Sequence, residues 1–217
     1  MLFTRQQAQA FYDRFGSKQD AQAFYEDAAL DDLVAHAAFE QASSVFELAG
    51  GTGRFAQRLL SRHLPATATY LGIDLSSTMI GLATRRIAPY ADRAKVMQSD
   101  GAMQFPLPDH SVDRVVCVYL FDILPEDDVR QAIAEAHRVL KPGGKLCVAS
   151  LTEGVTVVSR IVSAIWSRAF HMHASLVGGC RPIRLDQFFE PASWSLDRRN
   201  VVVKVGVPTE VVVATPK

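Results

Sequence analysis

Between residues 44 and 150, short runs of β-branched and aromatic residues alternate with segments whose apolar residues recur every three or four positions. Runs of the first kind are typical of buried strands, and segments of the second kind are typical of amphipathic helices. The strand-like runs read ASSVFELAG, TATYLGIDL, AKVMQS, SVDRVVCVYLF and KLCVASL. Because strands joined through helices run parallel with right-handed crossovers, the alternation predicts a parallel sheet with helices on both faces.

The end of the chain follows a different pattern. After about residue 182, two β-rich runs are separated by a turn that contains Gly206 and Pro208. A parallel crossover needs a dozen or more residues, so strands joined this briefly must be antiparallel. The sequence therefore predicts an α/β fold, a Rossmann-like doubly wound sheet of seven strands that is mostly parallel and ends in a C-terminal antiparallel hairpin.

The other segments are assigned to the same domain, since 217 residues suit a single one. Residues 1–40 carry apolar side chains at helical spacing, interrupted at Gly16, and are expected to form an N-terminal helical cap. Residues 44–150 form the core of the domain. Residues 151–181 are interpreted as an insertion that precedes the final hairpin of residues 182–217.

Charge and cysteine content argue against several classes of protein. Lys and Arg total 23, as do Asp and Glu, which argues against nucleic acid as the main partner. Neither a signal peptide nor an apolar run of about 18–20 residues is evident, so a cytoplasmic location is expected. Cys117, Cys147 and Cys180 lack metal-binding spacing, and the first two are expected to be buried thiols inside strands. No metal site is predicted.

A glycine cluster follows the first strand-like run, in the stretch VFELAGGTGRF of residues 45–55. Glycines between a strand and a helix let the backbone approach a ligand and direct free helix N–H groups toward it. The run Gly51-x-Gly53-x-x-Ala56 even matches a dinucleotide fingerprint. Glu47, however, lies just upstream, where its carboxylate would repel a diphosphate and attract a cation. The pattern favours a positively charged ligand, with a plain tight turn as the alternative.

Acidic side chains also follow the next two strand-like runs. Asp74 ends YLGID, and Asp100 comes after AKVMQS. Because the carboxyl ends of parallel strands meet at one edge of a sheet, Glu47 and both aspartates are expected around one crevice. A carboxylate can accept hydrogen bonds from ribose hydroxyls or from the exocyclic amine of a base. The three acids predict a site for a cationic nucleoside, with helix capping as the alternative for the aspartates.

Four stretches of the chain resemble the class I S-adenosylmethionine-dependent methyltransferases, in the branch with small-molecule and lipid acceptors. They read FELAGGTGRF, GIDLSSTMI, QSDGAMQFPLPDHSVDRVVCVYLF and HRVLKPGGKL. The resemblance covers residues 44–150 strongly, and residues 190–215 loosely match the antiparallel hairpin of the family. It implies an enzyme that uses S-adenosylmethionine as cofactor and releases S-adenosylhomocysteine.

The resemblance implies roles for the residues around the glycine loop. Glu47 would contact the methionine amino group or orient the loop, and Gly51 and Gly53 would face the methionine and the ribose. Gly50 belongs to the same cofactor-binding loop. Ala49 stands where the family usually has glycine, so its methyl group could crowd the amino-acid end of the cofactor.

The resemblance also assigns the nucleoside end of the cofactor. Asp74 would hold the ribose hydroxyls, with Leu75 and Met79 flanking the adenine. Asp100 would accept a hydrogen bond from the adenine amino group, with Gly101 alongside. The implied cofactor site therefore draws on the ends of the first three strands.

The catalytic candidates follow the fourth strand. The resemblance places Tyr119 near the sulfonium, and Asp122 is the first choice for a polar contact or a general base. A core aromatic side chain and a helix-entry acid are the respective alternatives. His171 and His173 are interpreted as bases or as merely exposed histidines, with the second reading favoured.

The insertion of residues 151–181 is expected to roof the pocket on the acceptor side. Its segment TVVSRIVSAIWSRAF predicts a helix with an apolar stripe formed by Val158, Ile161, Val162, Ile165 and Trp166. A surface helix ordinarily turns one such stripe inward, so packing is favoured over contact with a membrane.

Aromatic side chains of the N-terminal cap are expected to close the other side of the pocket, at Phe11, Tyr12, Phe15, Phe24 and Tyr25. Their apolar surface favours a small, partly apolar acceptor such as a quinone-like ring, a lipid or a thiol. Two other classes stay open, a module that binds the cofactor without catalysis and an NAD-dependent oxidoreductase. Glu47 and the lack of room for a separate substrate domain disfavour the oxidoreductase. No oligomeric state is assigned.

Overall fold

The fold is built on a single seven-stranded sheet, seen in a computed structural model that describes residues 2–217. The strands are β1 (Ser44–Leu48), β2 (Thr69–Asp74), β3 (Ala94–Gln98), β4 (Val112–Val118), β5 (Leu140–Leu151), β6 (Trp194–Lys204) and β7 (Val207–Pro216). Their order across the sheet is β3-β2-β1-β4-β5-β7-β6. The first five strands are parallel, and β7 is antiparallel to both of its neighbours. The prediction of a mostly parallel sheet ending in an antiparallel hairpin is confirmed.

Helices cover both faces of the sheet, as predicted. Those of the described residues are α1 (Arg5–Phe15), α2 (Ala23–Ala37), α3 (Arg54–Arg62), α4 (Ser77–Ile87), α5 (Glu126–Val139) and α6 (Val157–Met172). Successive strand residues point to opposite faces, so Phe46 joins the core under α5 and Val45 joins the core under α2 and α3. Cys117 and Cys147 are fully buried in these two cores, which confirms the prediction for both thiols.

The N-terminal cap consists of two helices separated by a short 3-10 segment, Gly16–Gln22. Gly16 has a φ of 50°, which few other residues adopt, so the interruption occurs where the sequence predicts it. Asp13 of α1 accepts hydrogen bonds from the Ser76 hydroxyl at 2.6 Å and from the Thr78 amide at 3.1 Å. The first helix therefore adds a carboxylate to the N-terminus of α4, which Ser76 already caps.

The segment Lys141–Gly144 differs from its prediction. We expect the Lys-Pro-Gly-Gly run to separate a helix from a strand, but β5 already begins at Leu140 and includes the run. A register shift opposite Val112 and Arg114 accommodates the extra residues. The strand can continue because Gly143 takes a φ of 76° at the irregularity.

The apolar stripe of α6 does not turn inward as predicted. Val162 and Trp166 pack against a small core that includes Leu151. The rest of the stripe is exposed: the accessible fractions are 62% for Val158, 56% for Ile161 and 64% for Ile165. The prediction is wrong for these three residues because α6 touches the body of the protein along only one narrow side.

Gly53 joins the glycine loop to α3 and should be the least replaceable glycine of the loop. Its φ is 75°, and a Cβ built on it would lie 2.9 Å from the Ala83 backbone. We expect Gly53→Ala to destabilise the protein by about 2–4 kcal/mol, since left-handed strain and overpacking add. Chemical denaturation measures the loss.

Gly143→Ala is the matched control. Gly143 has nearly the same φ, 76°, but a Cβ there would have nothing within 4 Å. This variant should lose only about 1–2 kcal/mol from the backbone conformation. Equal losses in the two variants would contradict the assignment of Gly53 to close packing between α3 and α4.

Candidate active site

Two neighbouring strands end in strained residues at the same edge of the sheet. β1 and β4 pair side by side, with Leu48 opposite Cys117. The residues that follow them, Ala49 and Tyr119, have φ values of 57° and 54°. Non-glycine residues are rare in this region, and they concentrate where function over-determines the backbone. The conformation also explains why a glycine would suit position 49 in the family.

The glycine loop is anchored to the adjacent strand β2 by backbone hydrogen bonds. The Gly50 amide donates to the Ile73 carbonyl at 3.1 Å, and the Gly51 amide donates to Asp74 Oδ2 at 2.9 Å. Gly51 needs its φ of 54°, and a Cβ there would come within 2.7 Å of Gln19 Oε1. The loop backbone is therefore exposed toward a crevice that no side chain of its own fills.

Asp74 holds this crevice together. Its Oδ2 accepts from Gly51, and its Oδ1 accepts from the Ser76 amide at 2.8 Å. Burial raises the pKa of Asp74, against the opposing effect of these hydrogen bonds. Because each carboxylate oxygen can accept more than one hydrogen bond, capacity remains for a ligand in the crevice.

Glu47 is completely buried beside the loop. The Tyr70 hydroxyl donates to Glu47 Oε2 at 2.5 Å, while Oε1 has no partner among the described residues. Burial raises the pKa of Glu47 to about 7. A buried carboxylate oxygen without a donor is costly, which indicates that a ligand supplies the donor.

A cavity of about 310 Å³ opens at this edge of the sheet, a size at the lower end of small-molecule pockets. The predicted cofactor residues that line it are Ala49, Gly51, Asp74, Leu75, Met79, Gly101 and Tyr119. A smaller cavity of about 40 Å³ adjoins it and is lined by Glu47 and Gly50. The structure thus brings most of the predicted cofactor positions around one continuous space.

Gly53 and Asp100 line neither cavity. Gly53 is buried against α4 and has a packing role. Asp100 is exposed, and its carboxylate accepts a hydrogen bond from the Ala102 amide at 2.9 Å. Its neighbours Ser99 and Gly101 line the larger cavity instead, so the adenine contact of Asp100 stays a prediction.

The N-terminal cap closes one side of the larger cavity, where it contributes Phe3, Thr4, Arg5, Ala8, Tyr12 and Gln19. Of the aromatic residues predicted for this wall, Tyr12 lines the cavity, and Tyr25 packs edge-on against Tyr119 with ring centroids 6.0 Å apart. Phe24 is 61% exposed, so its prediction is wrong. Phe11 and Phe15 pack beside Tyr12 without lining the cavity.

Ion pairs fasten the cap to the glycine loop. Asp20 accepts from Arg86 at 2.6 Å and from the Thr52 hydroxyl at 2.6 Å. Arg54 donates to the buried Glu26 at 2.6 Å. The sequence analysis missed these residues because nothing in the sequence pairs charges that are 28 to 66 positions apart.

Asp122 is fully buried and does not line the larger cavity. Its Oδ1 accepts from the Ser150 hydroxyl at 3.2 Å, and its Oδ2 has no partner among residues 2–217. Burial raises the pKa of Asp122 to about 6. Burial, with the nearby charges that include Asp122, raises the pKa of Tyr12, which does line the cavity.

The insertion of residues 151–181 lies behind this wall. None of its residues lines the larger cavity, and it reaches Tyr12 through the Gly178 carbonyl, which accepts from the Tyr12 hydroxyl at 3.3 Å. A role for the insertion on the acceptor side stays a prediction. His171 and His173 are exposed, which agrees with the favoured interpretation.

Metal-binding clusters and membrane-spanning helices are both absent from the described residues. Within residues 2–217, no three His, Cys, Asp or Glu side chains are grouped to hold a metal ion. No helix of the same residues has the length and apolar character needed to cross a membrane.

Part of the chain matches a known protein family. Residues 45–144 match the model of a methyltransferase domain. The ubiquinone/menaquinone biosynthesis C-methyltransferase UbiE of Geobacter sulfurreducens is 32% identical over 143 residues, or 65% of this chain and 53% of that protein. An uncharacterized methyltransferase of Geobacillus thermodenitrificans is 30% identical over 145 residues, or 66% of this chain and 64% of that protein. The chain spans about half to two thirds of the length of these relatives.

Solved structures share the fold over nearly the whole chain. The (4+2)-cyclase SpnF superposes with a TM-score of 0.72 at 18% identity, covering 99% of this chain and 97% of that one. A methyltransferase of Thermotoga maritima, described as a possible histamine N-methyltransferase, has a TM-score of 0.66 at 20% identity, with 97% and 100% covered. Identities this low concern the fold alone.

The seven-stranded sheet is shared with solved structures that include a methyltransferase. With the family model that matches residues 45–144 and the relatives named as methyltransferases, the fold supports a class I S-adenosylmethionine-dependent methyltransferase. Residues of the structure fit the cofactor of that family. The unpartnered oxygen of Glu47 suits an ammonium group, and Asp74 suits vicinal hydroxyls.

We expect the buried carboxyl of Glu47 to make cofactor affinity dependent on pH. A ligand ammonium favours the ionised carboxylate, and the pKa of Glu47 is about 7 without it. The affinity for S-adenosylhomocysteine should therefore fall as pH decreases from 8 to 6. Glu47→Gln should bind roughly 10- to 100-fold more weakly at pH 8, since a charge-assisted hydrogen bond is lost.

Isothermal titration calorimetry at several pH values measures both effects. The glutamine variant should lose most of the dependence between pH 6 and pH 8. Glu40→Gln, at an exposed position, is the control and should behave as the unmodified protein does. Parallel pH curves for the protein and Glu47→Gln would contradict the proposed contact.

Proposed function

We propose that the protein transfers the methyl group of S-adenosylmethionine to a small, partly apolar acceptor. The observation that carries the proposal is the buried, unpartnered oxygen of Glu47 beside a glycine loop that Asp74 holds open. The cofactor carries an ammonium group at its amino-acid end and two hydroxyls on its ribose. In the proposal, Glu47 binds the ammonium group and Asp74 binds the hydroxyls. Its sulfonium supplies an activated methyl group.

Each end of the crevice has its own task in the proposal. Glu47 and Gly50 line the smaller cavity, which receives the amino-acid end. Asp74 accepts hydrogen bonds from the ribose, and Leu75 and Met79 pack on the adenine. Gly101 lines the larger cavity, and the adenine contact of its exposed neighbour Asp100 is part of the proposal. By fixing both ends, these residues orient the reactive centre between them.

The acceptor is expected beside Tyr119 and Tyr12, in the rest of the larger cavity. This part is lined by apolar side chains, which include Phe3, Met103, Leu120, Ile123 and Leu124. Such a wall excludes water and favours a flat or aliphatic acceptor. The protein then contributes alignment of the nucleophile with the methyl group, which lowers the barrier by roughly 7–11 kcal/mol in well-oriented reactions.

The class of acceptor is supported by the relatives. Several of them are named as C-methyltransferases of ubiquinone and menaquinone biosynthesis, and a quinone-like ring fits an apolar wall with two tyrosines. Among the three classes of acceptor, we propose a quinone-like ring ahead of a lipid or a thiol. We also propose a cytoplasmic location, where apolar metabolites are accessible.

A screen of labelled methyl transfer tests the activity. Purified protein is incubated with methyl-labelled S-adenosylmethionine and, separately, quinols, phenols, thiols and phospholipids. Transfer to a ring carbon of a quinol supports the proposal in full, and transfer only to another class replaces its acceptor. Cofactor binding without any transfer would favour a non-catalytic module, and binding of NAD instead would favour an oxidoreductase.

Asp74→Ala tests the ribose contact. We expect the affinity for S-adenosylhomocysteine to fall at least about tenfold, because charge-assisted hydrogen bonds are lost and the loop is released. Calorimetry measures the dissociation constant. Asp92→Ala, at an exposed aspartate, should leave it unchanged. An unaltered constant in Asp74→Ala would reject the role.

Asp122 is proposed as a positioning residue that acts through Tyr12. With a pKa of about 6, it is mostly ionised at pH 8 and protonated below pH 6, so turnover should fall on the acid side. Asp122→Asn should lower kcat by roughly 10-fold or more while the cofactor dissociation constant stays nearly the same. It should also remove the acid limb of the pH profile. An intact acid limb in Asp122→Asn would assign that titration to another group.

A further inference from the structure

The outer side of α6 is an apolar surface that the rest of the chain leaves uncovered. Val158, Ile161, Ile165 and Met172 follow one another at helical spacing, with accessible fractions of 62%, 56%, 64% and 67%. Leu196, at 41%, is the next most exposed leucine outside the insertion. Aliphatic side chains this exposed in a continuous row indicate a docking surface rather than ordinary scatter.

The row extends beyond the ends of the helix. Val155 precedes the helix with 51% exposure, Val157 is its first residue with 75%, and Leu176 follows it with 67%. The turn between β6 and β7 lies alongside, since a Cβ built on Gly206 would come within 3.4 Å of Val158. Val205 in this turn is 70% exposed. We call this set of residues, with the helical row, the α6 face.

The inner side of α6 is packed and hydrogen-bonded within the chain. Ser159 and Phe170 are buried, and the Trp166 indole N–H donates to the Cys180 carbonyl at 3.1 Å. Thr156 and Ser159 form a capping box that begins the helix. The helix is therefore formed and packed without the α6 face, so the exposed row is not needed for folding of the helix.

Cationic side chains predominate around the α6 face, with Glu153 as an exposed acid beside its N-terminal end. Residues 154–185 contain four arginines and no aspartate or glutamate, in a chain whose net charge is zero. Arg160 and Arg168 are exposed on α6, and Lys204 is exposed beside Val205. The ion pairs of residues 2–217 include none of these three cations.

We propose that the α6 face binds the surface of an anionic lipid bilayer, with α6 lying in the interface. A helix with an exposed aliphatic row and unpaired arginines is the pattern of interfacial helices. Anionic headgroups would pair with Arg160, Arg168 and Lys204, while the aliphatic row enters the acyl boundary. The finding that no helix of residues 2–217 can span a membrane agrees with binding from one side.

A second copy of the chain is a less favourable partner for the α6 face than an anionic bilayer. A symmetric dimer through the α6 face would place Arg160 and Arg168 of both copies in one interface. Residues 154–185 offer no carboxylate to pair with them. Like charges brought together in an apolar interface disfavour association. The same cations strengthen binding to an anionic bilayer, so the charge pattern distinguishes the two.

The inference does not depend on methyl transfer, because it uses no residue of the cavity wall. It does place the insertion, which contacts Tyr12 through the Gly178 carbonyl, close to the bilayer. An apolar acceptor could then reach the cavity without crossing water. Vesicle binding and methyl transfer are measured separately, so that failure of one leaves the other standing.

Co-sedimentation with vesicles tests the proposal. The protein is mixed with vesicles of phosphatidylcholine alone or with 30% phosphatidylglycerol added, at low and high salt (about 0.05 M and 0.5 M). We expect sedimentation with the anionic vesicles that decreases at high salt. Ile161→Ser with Ile165→Ser should reduce binding at least 10-fold, and Arg160→Gln with Arg168→Gln should remove most of the preference for anionic lipid.

Leu196→Ser is the matched control, because it removes an exposed aliphatic side chain from β6, outside the α6 face. It should leave sedimentation unchanged, and thermal melting of every variant checks that it folds. Absence of sedimentation with anionic vesicles overturns the proposal. So does equal sedimentation of the double serine variant and the control. A dimer that dissociates in the double serine variant, without vesicle binding, would assign the face to a second copy.

Discussion

The carboxylate of Asp74 is the point from which the site is organised. It receives the Gly51 amide from the glycine loop and the Ser76 amide from the start of α4. One side chain thereby joins the ends of β1 and β2 and keeps two backbone segments apart at a fixed spacing. Without it, Gly51 would lose the hydrogen bond that fixes its amide, in a loop where glycine favours no single conformation.

Two further acids near the ends of β1 and β4 are buried without a full set of partners. Glu47 and Asp122 are fully buried, and each has one oxygen that no described residue satisfies. Both carboxyl groups have a raised pKa because burial disfavours their charge. The strained residues Ala49 and Tyr119 follow the same two strands, β1 and β4. Unsatisfied acids and strained backbone at one edge of a sheet indicate a surface shaped for a ligand.

The N-terminal cap links this edge to the rest of the molecule. Its ion pairs with Arg54 and Arg86 hold residues of the cap over the glycine loop. On the far side of Tyr12, the insertion presents its apolar face outward. The N-terminal cap, which is fixed to the core, therefore bounds the cavity. The insertion flanks the cap and turns its apolar face outward.

Much of the fold follows from the sequence alone. Alternating strand-like and helical runs specify parallel pairing, and the short turn at Gly206 specifies an antiparallel hairpin, because chain length and side-chain period are local properties. The acids at the strand ends are also visible in the sequence, since parallel strands bring their carboxyl ends together. Glu47, Asp74 and the glycine loop could be assigned on these grounds.

Only the tertiary structure decided where individual side chains face. In the structure, the Asp100 carboxylate accepts from the nearby Ala102 amide, and Asp122 does not line the larger cavity. Asp20 pairs with Arg86, which lies 66 positions away in the chain. The tertiary structure also left Ile161 and Ile165 exposed, although their spacing predicts an inward stripe. Periodicity identifies a face of a helix but not what lies opposite, because that depends on contacts between residues far apart in the chain.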